Sequence, residues 1–161
     1  WLASSGLAID NGLVCDSTLA TRAPGVVAAG DVARWPNVLF GESMRIEHWT
    51  NALDQGAAAA RRLLGGEDYT QPFAPVPYVW SDQYETKIQI VGRIKPGDDV
   101  SLVHGSIEEG RFVAVTGRAG RLVGAMAFNE PRKLMGWRKP IEAGTPWSDA
   151  LAAAGPSSRV V

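Results

Sequence analysis

The chain has 161 residues, a formal net charge of -1 and 45% hydrophobic residues. That is enough to bury one sizeable core, or one small domain plus part of another, and too apolar for a disordered tail. The near-neutral balance excludes any global attraction to nucleic acid or to an anionic membrane, and no stretch approaches the roughly 20 apolar residues that span a bilayer.

The first block is expected over residues 1–70. Gly12 to Asp16 reads as a short strand, and Thr21 to Gly25 as a turn. Val26 to Ala29 is a run of small apolar residues and reads as a strand buried on both faces. A helix is predicted over residues 45–64, with Ile46, Trp49, Leu53, Ala57, Ala60 and Leu64 forming its apolar stripe and Gly65-Gly66 closing it. Residues 71–77 carry three prolines, which resist regular structure, and read as a linker.

The second block, residues 78–155, is rich in strands. Candidates are residues 87–92, 100–104, 111–116 and 122–128, the last two joined by a turn at Gly117 to Gly120. Helices are predicted over residues 131–138 and 146–154, the second with Thr145 as N-cap and Pro146 in its first position. Residues 156–161 read as a tail. Strands followed by helices give an α+β fold, with a mostly antiparallel sheet and flanking helices.

The single cysteine, Cys15, excludes an internal disulfide and a redox dithiol, and fits a reducing, cytoplasmic setting. The chain opens on Trp1 rather than Met and contains no Gly-x-Gly-x-x-Gly fingerprint. It therefore reads as a piece of a longer protein.

Gly30-Asp31 is the first candidate for chemistry. Glycine admits a ligand close to the backbone, and a carboxylate accepts hydrogen bonds from the hydroxyls of a sugar or ribityl chain. On these two residues alone, a turn with Asp31 capping the next segment is the better reading. For Trp49 and Trp80 a core position is the plain alternative. His48 reads more readily as a structural or solvated histidine than as an acid or base. Arg132, Lys133, Arg138 and Lys139 form a basic cluster, read either as a solvated helix face or as a docking patch.

The order of these pieces resembles a known family. Thr21, Pro24, Gly25 and Ala29-Gly30-Asp31 resemble the second flavin-binding motif of two-dinucleotide-domain flavoproteins. Arg45 to Trp49 and Ala52 to Gly56 match its downstream pieces. Trp80-Ser81-Asp82-Gln83-Tyr84 resembles the opening of the C-terminal domain of FAD-dependent ferredoxin reductases, those serving putidaredoxin, rubredoxin and biphenyl dioxygenase among them. The resemblance implies a C-terminal reductase domain preceded by the tail of an α/β FAD-binding domain. It implies FAD and NAD(P)H as cofactors and a 2Fe–2S ferredoxin, or rubredoxin, as electron acceptor. Gly30, Asp31, Glu47, His48, Trp49 and Trp80 would contact the flavin. Asp31 would meet the ribityl chain, residues 47–49 would present a helix N-terminus to the ring, and Trp80 would lie between flavin and ferredoxin. No nucleic acid, membrane or metal is expected. The chain alone is expected to be inactive or to bind FAD weakly. The alternative is a C-terminal interaction or dimerisation module of an apoptosis-inducing-factor-like or other related flavoprotein.

Overall fold

A computed structural model describes residues 1–155, and the expected tail at 156–161 lies outside them. The described chain falls into two compact units, Trp1–Pro75 and the residues from Val76 onward.

The first unit holds a three-stranded sheet in the order β1-β2-β3, formed by β1 (Leu13–Val14), β2 (Ala33–Asn37) and β3 (Glu42–Met44). β1 runs parallel to β2, and β3 antiparallel to it. Helix α1 (Trp49–Gly65) follows. The core gathers Leu13, Leu19, Ala33, Trp35, Met44, Ile46, Ala58 and Ala59. Trp35 is fully buried, and its indole N–H donates to the Phe73 carbonyl at 2.9 Å. The Asn37 amide donates to the Pro75 carbonyl at 3.0 Å, and the Phe73 N–H to the Ser17 carbonyl at 2.7 Å. The proline-rich residues up to Pro75 are thus stitched to the first unit by hydrogen bonds that prolines cannot donate but can accept.

Two expectations fail in this unit. The run Val26 to Ala29 is not a strand buried on both faces. It makes one isolated bridge, Ala20 to Val27, and Val26 is 38% exposed. Its ladder has one neighbour among the described residues, and a strand needs flanking partners to bury both faces. The helix begins at Trp49, not at residue 45, because residues 45–48 stay outside it, with His48 extended as the N-cap. Its inward face is also not the expected one. Asn51, Gln55, Ala58 and Ala59 are buried, while Trp49, Leu53 and Leu64 are exposed. Gly66 ends the helix with φ +60°, as a closing glycine should.

The second unit is an antiparallel five-stranded sheet in the order β4-β5-β8-β7-β6: β4 (Tyr78–Gln83), β5 (Thr86–Gly92), β6 (Asp99–Ser106), β7 (Arg111–Arg118) and β8 (Arg121–Phe128). The expected α+β class with a mostly antiparallel sheet holds. The β7–β8 turn uses Ala119 and Gly120, both at positive φ (50° and 74°), the twist that two-residue hairpins favour. One face of the sheet is lined by Val91, Ala125, Ala127, Val113 and Val115, all fully buried.

The helix expected over residues 131–138 is two helices, α2 (Pro131–Met135) and α3 (Arg138–Glu142). Pro140 has no N–H for the Gly136 carbonyl, so one continuous ladder cannot form. Helix α4 (Trp147–Ala154) starts one residue later than expected, with Pro146 and not Thr145 in the cap position. Thr145 is otherwise engaged, its carbonyl accepting the Leu122 N–H at 2.9 Å. The Trp147 indole fills the space over Gly117, where a β-carbon would lie 2.5 Å from the ring.

Candidate functional site

The site in the first unit is built from a turn, a loop and a helix start. The Thr21 hydroxyl donates to the Val26 carbonyl at 3.0 Å and accepts the Ala23 N–H at 3.2 Å, which fixes the turn through Gly25. Ala29 is extended, and Gly30 then reverses to φ +76°, opening a short 3-10 turn, Gly30–Val32, that leads into β2. Side chains rarely adopt that φ, so glycine is required by conformation. A β-carbon there would lie 3.5 Å from the Ala52 β-carbon, in ordinary contact.

Two side chains bind this loop to the start of α1. The buried Gly30 N–H donates to Gln55 Oε1 at 2.7 Å, and the Gln55 side chain is fully buried. Arg45 donates from Nη1 to the Asp31 carbonyl at 3.0 Å and pairs with Glu47. The Asp31 carboxylate is left exposed beside them. His48 is the N-cap residue of α1, half-buried, extended (φ -118°, ψ 137°), and it makes no side-chain capping bond. The first turn carries no acid, and Trp49 stands out at 74% exposed. A 17-residue helix therefore presents an N-terminal partial positive charge with no acidic side chain in its first turn.

These residues fit a ligand with hydroxyls and an electron-rich ring edge. The glycine admits close approach, the carboxylate accepts hydroxyl protons, the helix start attracts negative charge, and an exposed indole offers a flat apolar face. Asn51 Oδ1 and Gln55 Nε2, on the inward side of the same helix, are buried and have no protein partner. Cys15 does not belong to this chemistry. It is buried, and desolvation, reinforced by the Asp16 charge, pushes its thiol up to about 11.

Five of the six candidate residues, Gly30, Asp31, Glu47, His48 and Trp49, are thus gathered in the first unit. Trp80 belongs to the second, on the edge strand β4, and is 42% exposed. Gln55 and Arg45 had no assigned role in the sequence reading. The available signal was polarity at positions 51 and 55, one helical turn apart, on a helix otherwise rich in alanine.

The basic cluster divides between two helices, Arg132 and Lys133 on α2 and Arg138 and Lys139 on α3. All four are exposed. Near the opposite end of the sheet, the Asp98 carboxylate receives Arg118 Nε at 2.6 Å, Arg118 Nη2 at 2.7 Å and the Lys95 N–H at 2.8 Å. No helix among the described residues is long and apolar enough to cross a membrane.

Comparison with known proteins gives the family. The family model for the reductase C-terminal domain matches residues 78–159, and that for pyridine nucleotide-disulphide oxidoreductases matches residues 1–56. Rhodocoxin reductase of Rhodococcus erythropolis is 35% identical over 94% of this chain and 34% of its own length. The ferredoxin--NAD(+) reductase component of the anthranilate 1,2-dioxygenase system of Burkholderia cepacia is 37% identical over 88% of this chain and 34% of its own. The covalent putidaredoxin reductase–putidaredoxin complex superposes with a TM-score of 0.78 at 30% identity, covering 89% of this chain and 34% of that one. The chain spans about a third of the length of these relatives. With the model matching from Tyr78 onward, where the Trp80 to Tyr84 string begins the second unit, the chain belongs to the reductase C-terminal family.

Proposed function

We propose that this chain forms one wall of the FAD site in a reductase that takes hydride from NADH or NADPH and delivers single electrons to a 2Fe–2S ferredoxin, rubredoxin being the alternative acceptor. The observation that carries the reading is the Gly30-Asp31 loop, bound through Gln55 to α1 and through Arg45 to the residues before it, with no acid in the first turn of that helix. FAD supplies the chemistry that joins a two-electron donor to a one-electron acceptor. The protein orients it and sets its electrostatics. Asp31 accepts hydrogen bonds from ribityl hydroxyls. The α1 N-terminus, from Glu47 to Trp49, favours negative charge at the pyrimidine end of the ring. Trp49 lies by the flavin ring, and Trp80 is assigned to the electron path toward the ferredoxin. Arg132, Lys133, Arg138 and Lys139 attract an acidic partner.

The chain contains no glycine fingerprint to hold the adenosine and pyrophosphate. On its own it binds FAD weakly and does not turn over. Titrating FAD into this chain, and into a chain of the relatives' full length, tests the proposal by flavin absorbance and fluorescence quenching. Stoichiometric flavin in the long chain and weak uptake in the short one are expected. A long chain that holds no flavin overturns the reading, and a stoichiometrically yellow short chain overturns the assignment of one wall.

A further inference from the structure

The second unit contains a side-chain cluster that packing does not account for. Gln89 lies in the middle of β5, 6% exposed, in register with Trp80 on β4. Its Nε2 donates to the Tyr78 hydroxyl at 2.6 Å, while its Oε1 is buried without a partner. An unpaired buried acceptor costs stability, so a hydrophobic residue would serve the sheet better at this position. The Tyr78 ring in turn stacks on the Trp80 indole, with centroids 5.6 Å apart and planes inclined by 29°. Tyr78 and Trp80 are two residues apart on one strand and share its face. Trp80 itself is on a sheet edge and nearly half exposed, so the sheet alone leaves its rotamer loosely fixed.

The geometry points to Tyr78 and Gln89 as positioning residues for the Trp80 indole. Gln89 holds the Tyr78 ring upright by its hydroxyl, and that ring fixes the plane of Trp80 by offset stacking. Neither residue needs to touch flavin or ferredoxin. The functional half of the inference rests on the proposed place of Trp80 between flavin and ferredoxin. The structural half does not.

The test has two arms in the full-length reductase. In the first, the protein is labelled with 5-fluorotryptophan, and the Trp80 resonance is assigned as the one missing from Trp80→Phe. Tyr78→Leu removes the ring current and is expected to move that resonance. Gln89→Met is expected to broaden or shift it, and Tyr78→Phe, which keeps the ring and loses only the hydroxyl link, should fall between. A Trp80 resonance that stays in place in Tyr78→Leu and Gln89→Met overturns the inference. In the second arm, stopped-flow separates the half-reactions. Tyr78→Leu should slow electron delivery to ferredoxin by about tenfold, with hydride transfer held within about twofold. In a Trp80→Ala background the same substitution should have no further effect, because Tyr78 acts through Trp80. If Trp80→Ala alone leaves both half-reactions unchanged, the reading of Trp80 fails while the resonance shifts still decide the positioning. If Trp80→Ala slows delivery and Tyr78→Leu does not, the functional inference fails alone. Tyr78→Phe guards against a folding defect, because it removes only one oxygen.

Discussion

Replacing Arg118 by Met should destabilise the second unit more than any other change at an equally exposed residue. The Asp98 carboxylate is 3% exposed and is held by two Arg118 nitrogens and one backbone N–H, and Arg118 also donates to the Arg93 carbonyl at 2.9 Å. Removing the guanidinium leaves a buried negative charge with one donor. Breaking a buried pair in this way costs about 3–5 kcal/mol, and the 29% exposure of Arg118 puts the value at the lower end, about 3 kcal/mol. At roughly 4–8 °C per kcal/mol for a unit of this size, the midpoint falls by about 12–24 °C. Asp98→Asn keeps the shape and loses the charge-assisted bonds, costing about 1.5–3 kcal/mol. Burial alone would raise the Asp98 pKa, but the Arg118 and Lys95 hydrogen bonds outweigh it and hold the carboxyl below the usual range. Its stabilisation is therefore present above the unfolded value of about 3.9 and is lost as pH falls through the lower folded value. Calorimetry of the chain from pH 7 to pH 2 checks both points. Wild-type protein should lose stability below about pH 4 more steeply than Asp98→Asn. Equal midpoints for wild type and Asp98→Asn at pH 7, or parallel acid limbs, would refute the reasoning.

Gly30→Ala has room for its β-carbon but not the backbone angle, so it should cost about 1–2 kcal/mol and weaken FAD retention in the full-length reductase. A variant as stable as wild type in urea unfolding would show that the loop tolerates a left-handed alanine. Asp31→Ala should leave stability within about 0.5 kcal/mol, because the side chain is exposed. Its FAD affinity, measured by equilibrium titration of the full-length protein, should fall about tenfold for the lost hydrogen bonds. Unchanged affinity removes Asp31 from the site. Ferredoxin association should weaken with ionic strength, and Arg132→Glu with Lys133→Glu should flatten that dependence. A slope unaffected by the pair assigns the patch to solvent.

What the sequence shows about this fold depends on how local the cause is. The β7–β8 hairpin was legible because a glycine-bearing turn between alternating strands carries its own instruction in Ala119 and Gly120. Strand β2 was not, since Pro36 argues against a strand. It is tolerated because β1 pairs only with Ala33 and Arg34, leaving Pro36 beyond that ladder. The start of α1 was misplaced for a related reason. Residues 45–48 fit helical spacing, but Arg45 is tied to the Asp31 carbonyl and His48 is extended, so the helix opens only at Trp49. Strand β4 hid inside a string whose resemblance was plain and whose alternation was not, because Tyr78, Trp80 and Asp82 share a face that is only partly buried.

The reversed face of α1 shows how a buried hydrogen bond can override hydrophobic pattern. Burial by apolarity would turn Trp49, Leu53 and Leu64 inward, yet Asn51 and Gln55 occupy the interior. The cause is the Gly30 loop. A glycine at φ +76° in a buried turn has an N–H that no strand satisfies, and leaving it unpaired would cost about 1–3 kcal/mol. The Gln55 amide meets that need and so fixes the rotation of the helix about its axis. Once that rotation is set, the apolar stripe must face outward, and Trp49, the first residue of the helix, stands exposed. One buried hydrogen bond thus settles both the loop conformation and the direction in which the aromatic side chain is offered.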